Sequence, residues 1–250
     1  MFDTIKNGFK PVRAEDRPDV IGGSPKIFLT LPAPANRNEP FVAAEPLHAS
    51  YKKWGKRVFD IILVIASLPV SLPLIALFAL ALWVEGGNPF YRQLRVGRGG
   101  KVFSIVKLRT MVRDADQQLA ILLEAHPERK AEWEHSQKLK NDPRITPIGR
   151  LLRATSMDEL PQLWNVLTGE MSLVGPRPML PAQVALYGNP QTYYALTPGI
   201  TGPWQVSARN ESSFAFRAVM DRSYFRELSA LTDLTLLLRT IGVVLRRTGH

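Results

Sequence analysis

The sequence predicts a monotopic membrane protein that is mainly α-helical, with a small β-hairpin, a re-entrant membrane helix and interfacial amphipathic helices. Three features predict this fold class: an uncharged apolar stretch at residues 61–84, a glycine turn between two alternating apolar stretches, and helical spacing of leucines towards the C-terminus. The chain has 250 residues, 45% of them hydrophobic and 22% charged, so it can bury one sizeable core.

The composition narrows the classes of function. Basic residues outnumber acidic ones by 32 to 22, which gives a formal net charge of +10 and favours phosphate-bearing partners: nucleic acid, anionic lipid or a nucleotide. The charge alone does not choose among them. The chain has no cysteine, which excludes disulfides, thiolate nucleophiles and cysteine-ligated metals. The four histidines lack the spacing of metal ligands, so no histidine metal site is expected.

Three regions are expected along the chain. Residues 1–50 hold seven of the twenty prolines and equal numbers of basic and acidic residues, which is typical of a flexible tail. The tail shows no secretory signal pattern, so we expect its start to lie in the cytoplasm. Residues 51–90 contain the membrane helix and its flanks, and residues 91–250 form a cytoplasmic domain that ends in an interfacial helix.

The uncharged stretch would be about 36 Å long as a straight helix, enough to cross a bilayer core of about 30 Å. Pro69 and Pro73 lie near its middle, where each removes a backbone donor, so a kink or a break is expected there. Basic residues flank the stretch on both sides, and such residues mark the cytoplasmic face. These features favour a helix that enters and leaves on the same face. A true span and a buried core helix are the alternatives.

The elements that follow are read from periodicity. Residues 90–111 alternate apolar and polar side chains around a glycine-rich turn at 97–100, which predicts a β-hairpin. Residues 114–140 predict two helices divided by Pro127. From residue 224 onwards, leucines at helical spacing and a basic end predict an amphipathic helix. This helix lies either on an anionic membrane surface or on the protein's own core.

Asp158 and Glu159 open the most informative helix, which is expected to end at Gly169. Ser156 and Glu159 match a capping box, in which the acids would be structural. Pro161 favours Asp158 as the N-cap instead, because the proline then falls in the first turn, where its missing amide is tolerated. A carboxylate at a helix N-terminus is expected to stay ionised.

Arginines surround this pair of acids in the sequence. Arg144, Arg150 and Arg153 precede it, and Arg177 follows between two prolines that make its backbone rigid. An ionised aspartate among arginines suits phosphoryl chemistry, because the aspartate can attack phosphorus while arginines and a divalent cation neutralise the phosphate oxygens. An exposed structural loop is the alternative interpretation.

Four motifs, in this order, make the chain resemble the bacterial sugar transferase family of monotopic phosphoglycosyl transferases, in particular its exopolysaccharide-initiating members. They are KRVFDIILVIASLPVSLPLI, FYRQLRVGRGGKVFSIVKLRTM, RITPIGRLLRATSMDELPQLWNVLTGEMSLVGPRP and LTPGITGPWQVSARN. The resemblance covers residues 51–250 and implies that residues 91–250 form the catalytic domain. It implies transfer of a hexose 1-phosphate, with galactose or glucose favoured, from a UDP-sugar to undecaprenyl phosphate, with Mg²⁺ and release of UMP.

The resemblance also implies roles for individual residues. Asp158 would be the nucleophile that forms a phosphosugar ester and contacts the Mg²⁺, and Glu159 would be its catalytic partner. Arg177 matches the arginine of the family's G-P-R-P motif and would bind phosphate. Further substrate contacts are expected at Arg150, Arg153, Arg92, Lys107 and Arg209. Many members break the membrane helix at Ser-Pro, whereas Leu72 precedes Pro73 here.

Other hypotheses stay open at this point. In one, the lipid phosphate attacks the donor directly and the acids only hold metal. In another, the chain is a non-catalytic membrane-bound scaffold of a polysaccharide assembly system. A nucleic-acid binder would explain the charge but not the apolar stretch, and no recognition motif is present, so no nucleic-acid partner is expected. The expected partners are the UDP-sugar, undecaprenyl phosphate and lipids of the bacterial inner membrane, with the active site on its cytoplasmic face.

Overall fold

Helices dominate the part of the chain that the structure, a computed structural model, describes: residues 50–136, 139–207 and 214–245. The helices are α1 (Lys56–Gly86), α2 (Ala115–Ala125), α3 (Pro127–Ser136), α4 (Pro147–Thr155), α5 (Leu163–Thr168), α6 (Val184–Tyr187), α7 (Gln191–Ala195), α8 (Pro203–Ser207), α9 (Phe214–Glu227) and α10 (Ala230–Leu245). The strands are β1 (Phe90–Val96), β2 (Val102–Leu108), β3 (Ser172–Val174) and β4 (Gly199–Thr201). Short π- or 3₁₀-helical turns lie at Tyr51–Gly55, Arg98–Gly100, Met157–Gln162 and Pro181–Gln183. The predicted mainly helical class with a small hairpin is confirmed; the predicted tail lies outside the described residues, except for Ser50.

The long helix α1 follows directly on the π-helical turn and runs through Pro69 and Pro73. The helix is therefore not broken at these prolines, contrary to one of the two predicted outcomes. Each proline removes only one backbone hydrogen bond from a helix of 31 residues. A bend at the prolines stays a prediction.

Helix α1 is largely apolar, yet only five of its 31 residues are buried. The helical stretch Tyr51–Gly86 is, by length and composition, able to cross a membrane, and only 11% of an 18-residue apolar window in it is buried within the protein. The residues that α1 does bury follow one stripe along the helix: Lys56, Asp60, Val64, Ser71 and Leu82. So little burial argues against the alternative that this segment is a core helix.

Both ends of α1 are held by the same domain. Near the start, Arg57 donates hydrogen bonds to the carbonyl oxygens of Val166 and Leu167, the latter over 2.6 Å. Near the end, Arg109 donates to the carbonyl oxygen of Leu82 over 2.9 Å. Both ends of α1 are therefore attached to the rest of the protein.

The start of α1 has a second, ionic attachment. Lys56 Nζ lies 2.7 Å from Asp233 Oδ2 on α10, and the hydroxyls of Tyr51 and Tyr224 donate to the same carboxylate over 2.7 and 2.6 Å. Asp233 is fully buried, and its paired cation and hydrogen bonds offset the cost of removing a charge from water.

The predicted hairpin is confirmed. Strands β1 and β2 pair antiparallel, and Gly99 and Gly100 adopt φ values of 67° and 76° in the turn, a region that glycine enters without strain. In the register, Arg95 faces Phe103 and Lys107 faces Tyr91, so these four side chains share one face. That face carries the residues that reach the site.

A second small sheet was not predicted. Strands β3 and β4 pair in parallel. Gly175, the residue after β3, packs so tightly against the segment before β4 that a Cβ on it would collide with the carbonyl oxygen of Thr197. The amide of Gly175 donates to Thr201 O and that of Gly199 to Pro176 O, each over 2.8 Å. These bonds fix the start of the Gly175–Pro178 loop.

The predicted helices towards the C-terminus are confirmed in part. Pro127 begins α3, as expected for a proline at a helix start. The amphipathic helix from residue 224 is divided into α9 and α10. The alternative of packing on the protein's own core is confirmed for Leu236 of α10. Another face of α10 carries an exposed apolar stripe, Leu231, Leu234, Leu238 and Ile241, and its contact with a membrane stays a prediction.

Candidate active site

The acidic pair lies in a 3₁₀ turn between two helices. Helix α4 ends at Thr155, the next residue, Ser156, has a left-handed φ of 55°, and the 3₁₀ turn Met157–Gln162 begins immediately afterwards. Helix α5 starts only at Leu163, so the prediction that Asp158 is an α-helical N-cap is wrong. The capping box does not form either, because the Ser156 side chain makes no cap bond.

Glu159 is paired with two basic side chains. Lys107 Nζ on β2 lies 2.6 Å from Glu159 Oε1 and 3.8 Å from Asp158 Oδ2. Arg177 Nη2 lies 3.7 Å from the same oxygen of Glu159. The structure therefore brings together four of the residues singled out in the sequence, from three separate segments of the chain.

Burial, not the helix dipole, determines the protonation of Asp158. Its side chain is only 13% exposed, and burial raises its pKa to about 6; Glu159 adds to the rise, while Lys107, Arg153 and Arg177 oppose it. The sequence did not predict this rise, which comes from burial. The carboxylate is nevertheless mostly ionised at neutral pH, as expected.

The loop that carries Arg177 is anchored on both sides. Arg95 Nη1 donates to Pro178 O over 3.0 Å, and the amide of Val96 donates to Met179 O over 2.9 Å. With the glycine contacts before it, the loop is tied to β1 and to β4. The Arg177 side chain is 39% exposed and is directed at the acidic pair by this frame.

A pocket opens beside the acidic pair. Five polar or charged side chains and four apolar or glycine residues line it: Arg95, Lys107, Glu159, Gln162, Arg177, Ile105, Pro178, Gly199 and Ile200. Three cations against one lining carboxylate make this pocket suited to an anion such as a phosphoryl group.

Of the three arginines that precede the pair in the sequence, Arg153 lies near it, Arg144 is paired elsewhere, and a substrate contact of Arg150 stays a prediction. Arg153 Nε donates to Thr110 Oγ1 over 2.9 Å, and its charge favours the ionised form of Asp158. Arg150 is an exposed residue of α4. Arg144 is buried and paired with Asp142, with Nη2 and Oδ2 2.6 Å apart.

The other two predicted substrate contacts, Arg92 and Arg209, are not placed beside Lys107 by the described residues. Arg92 pairs with Val106 in the hairpin, so it projects from the face opposite to Lys107 and away from the pocket. The sequence contains no local signal of that orientation, because it depends on the register of the two strands. Arg209 lies outside the described residues.

Sequence reasoning missed Arg95 and Gln162. Arg95 is four residues from Tyr91 on β1 and so shares the face of Lys107; burial, followed by the charge of Arg177, lowers its pKa to about 10. Gln162 follows Glu159 by three residues, and side chains three apart eclipse one another in a 3₁₀ helix. An α-helix would also bring these two side chains onto one face, about 60° apart, so the spacing of Gln162 from Glu159 was a signal that could have found it.

The described residues contain no group of three or more histidine, aspartate or glutamate side chains that could hold a metal ion. Mg²⁺ often binds through only one or two carboxylates together with substrate phosphates. Asp158 fits that requirement, because among the described residues its nearest cation is Lys107 Nζ at 3.8 Å, whereas Glu159 is held by Lys107 at 2.6 Å.

The sequence profile of the bacterial sugar transferase family matches residues 51–247. The chain belongs to this family. The matched region of the sugar transferase contains every residue that lines the pocket.

Curated relatives extend this assignment. The chain is 45% identical over 195 residues to the UDP-galactose-lipid carrier transferase of Erwinia amylovora and to the undecaprenyl-phosphate galactose phosphotransferase of Salmonella typhimurium. Each alignment covers 78% of this chain and 41% of the relative, so the chain spans less than half the length of these two proteins. It is 40% identical over 197 residues to the exopolysaccharide production protein ExoY of Sinorhizobium fredii, covering 78% of this chain and 87% of that protein.

Proposed function

We propose that this sugar transferase moves a hexose 1-phosphate, galactose or glucose, from a UDP-sugar to undecaprenyl phosphate and releases UMP. The observation that carries the proposal is the buried carboxylate of Asp158 beside a pocket lined by Arg95, Lys107 and Arg177. The names of the relatives support the donor, the lipid acceptor and a role in exopolysaccharide synthesis. The reaction would be the first membrane step of that synthesis.

In the first step, an oxygen of Asp158 attacks the phosphorus that bears the sugar. A bond forms between the carboxylate oxygen and phosphorus, the bond between that phosphorus and the bridging oxygen of the diphosphate breaks, and UMP leaves with the electron pair. A pKa of about 6 keeps Asp158 mostly ionised at neutral pH, so no base is needed to activate it.

In the second step, a phosphate oxygen of the lipid attacks the same phosphorus. The bond to Asp158 breaks, the carboxylate is restored, and the product is the lipid diphosphate sugar. Two steps allow one site to meet a water-soluble donor and a membrane-bound acceptor in turn.

The residues around Asp158 neutralise the negative charge of the phosphoryl groups. Lys107 and Arg177 neutralise phosphoryl oxygens next to Asp158, and Glu159 holds both cations on the side of the pocket where the reaction occurs. Mg²⁺, when bound through Asp158 and the diphosphate, would supply further neutralisation of the leaving group.

The location we propose is the cytoplasmic face of the bacterial inner membrane, with α1 re-entrant. The exposed apolar surface of α1 supports contact with lipid, and its attachment to one domain at both ends supports entry and exit on the same side. Trp54 and Trp83 are 71% and 64% exposed near the two ends, where aromatic side chains favour the membrane interface.

A panel of UDP-sugars tests the reaction. UMP release by the detergent-purified protein with Mg²⁺ should require both undecaprenyl phosphate, for repeated turnover, and one hexose donor. An equal rate with Asp158→Asn would overturn the proposed role of Asp158. A folded protein that releases no UMP from any donor would overturn the proposed reaction and favour the scaffold hypothesis.

A further inference from the structure

The buried side chain of Gln162 has a hydrogen-bond donor without a partner among the described residues. The residue is only 3% exposed, and its Nε2 group makes no hydrogen bond to any of the residues that the structure describes. Buried polar groups in folded proteins are nearly always paired, because an unpaired donor has lost its hydrogen bonds to water without replacement. Other buried donors in the described residues also lack a partner, but Gln162 belongs to the wall of the pocket, where a bound ligand can supply one.

The position of this amide indicates what would pair with it. Gln162 lines the pocket together with Glu159, which precedes it by three residues in the 3₁₀ turn, so the turn presents both side chains on one side. The other polar residues of the pocket wall are cations: Arg95, Lys107 and Arg177. An acceptor bound among three cations is anionic, which favours a phosphoryl oxygen over a sugar hydroxyl.

We propose that Gln162 is a substrate-binding residue that donates a hydrogen bond from Nε2 to a phosphoryl oxygen of the nucleotide-sugar diphosphate. This inference rests on the proposed function and adds a neutral donor to the charged wall of the site. Unlike the three cations, Gln162 forms part of the same short turn as Asp158, so it fixes the phosphoryl group relative to the attacking oxygen.

Two variants test the assignment. Gln162→Met keeps the length of the side chain and removes the donor, so UDP should bind about tenfold more weakly and sugar-phosphate transfer should slow by about 10- to 100-fold. Gln162→Glu keeps the shape but turns an acceptor towards the phosphate, so the loss of UDP affinity should be larger. The same substitution at exposed Gln118 on α2, Gln118→Met, should change neither value.

Thermal unfolding distinguishes substrate binding from a structural role. Removing a buried donor that has no partner should leave the melting temperature of Gln162→Met unchanged or raise it, whereas removing a structural hydrogen bond would lower it. Unchanged UDP affinity and transfer rate in Gln162→Met would overturn the inference, and so would a lower melting temperature with unchanged UDP affinity.

Calorimetric titration with UDP keeps this test separate from the test of the reaction, because binding does not require turnover. If the wild-type protein transfers sugar phosphate and Gln162→Met does so equally well, the inference fails and the proposed function stands. If the wild-type protein binds UDP but transfers nothing, and Gln162→Met binds UDP more weakly, the proposed function fails and the phosphate contact stands. A wild-type protein that does not bind UDP would contradict the inference, and its transfer of sugar phosphate would then decide the proposed function separately.

Discussion

Replacing Lys107 by methionine should move the pH at which the protein loses activity. Lys107 Nζ lies 3.8 Å from Asp158 Oδ2, and its charge favours the ionised carboxylate. Two unit charges about 4 Å apart interact by about 1 kcal/mol in water and by about 4 kcal/mol at an effective dielectric constant of about 20. Since one pKa unit corresponds to about 1.4 kcal/mol, losing Lys107 should raise the pKa of Asp158 by about 1 to 3 units from about 6.

The assay is the pH dependence of kcat/KM for UMP release, measured from about pH 5 to about pH 9. Only ionised Asp158 attacks phosphorus, so the wild-type rate should fall as pH drops through about 6. In Lys107→Met the same fall should begin at higher pH, which makes the loss of activity much larger at low pH than at high pH. Lys101→Met, an exposed lysine of the hairpin, serves as the control and should keep the wild-type profile. An acidic limb at the wild-type pH in Lys107→Met would refute the reasoning.

Two further predictions concern stability and topology. Folding raises the pKa of Asp158 from 3.8 to about 6, so its ionisation opposes folding fully above about pH 6 and not at all below about pH 3.8. Replacing it in Asp158→Asn should therefore raise the free energy of unfolding at neutral pH by up to about 3 kcal/mol. Urea titrations should show that this gain in stability vanishes in acid. A gain independent of pH would contradict this. Single cysteines in place of Trp54 and Phe90, in a chain otherwise without cysteine, should react with an impermeant maleimide from the same side of inner-membrane vesicles, and labelling from opposite sides would refute the re-entrant helix.

Long elements with a clear period could be predicted from the sequence. The apolar stretch of α1, the alternation around the hairpin turn and the proline at the start of α3 each carry a local signal. The second sheet could not be predicted, because β3 and β4 have three residues each, too few to show a period, and they are paired by chain segments far apart in sequence.

Individual residues of the site could likewise be predicted only where the sequence carries a local signal. Asp158, Glu159 and Arg177 were found through their motifs, and the structure brings them together with Lys107. That Arg95 shares the face of Lys107 while Arg92 lies on the opposite face could not be predicted, because which strand face reaches the pocket depends on register and packing. The raised pKa of Asp158 depends on burial by the whole fold, which local sequence does not report.

The central claim is that Asp158 carries the sugar phosphate between donor and lipid. The most direct measurement is the intact mass of the detergent-purified protein after incubation with Mg²⁺ and UDP-galactose or UDP-glucose, without any lipid acceptor. The account predicts that the wild-type protein gains the mass of one hexose phosphate, loses it when undecaprenyl phosphate is added, and gains nothing as Asp158→Asn. UMP release that requires the lipid, with the wild-type protein never carrying the added mass, would contradict the covalent route and favour direct attack by the lipid phosphate.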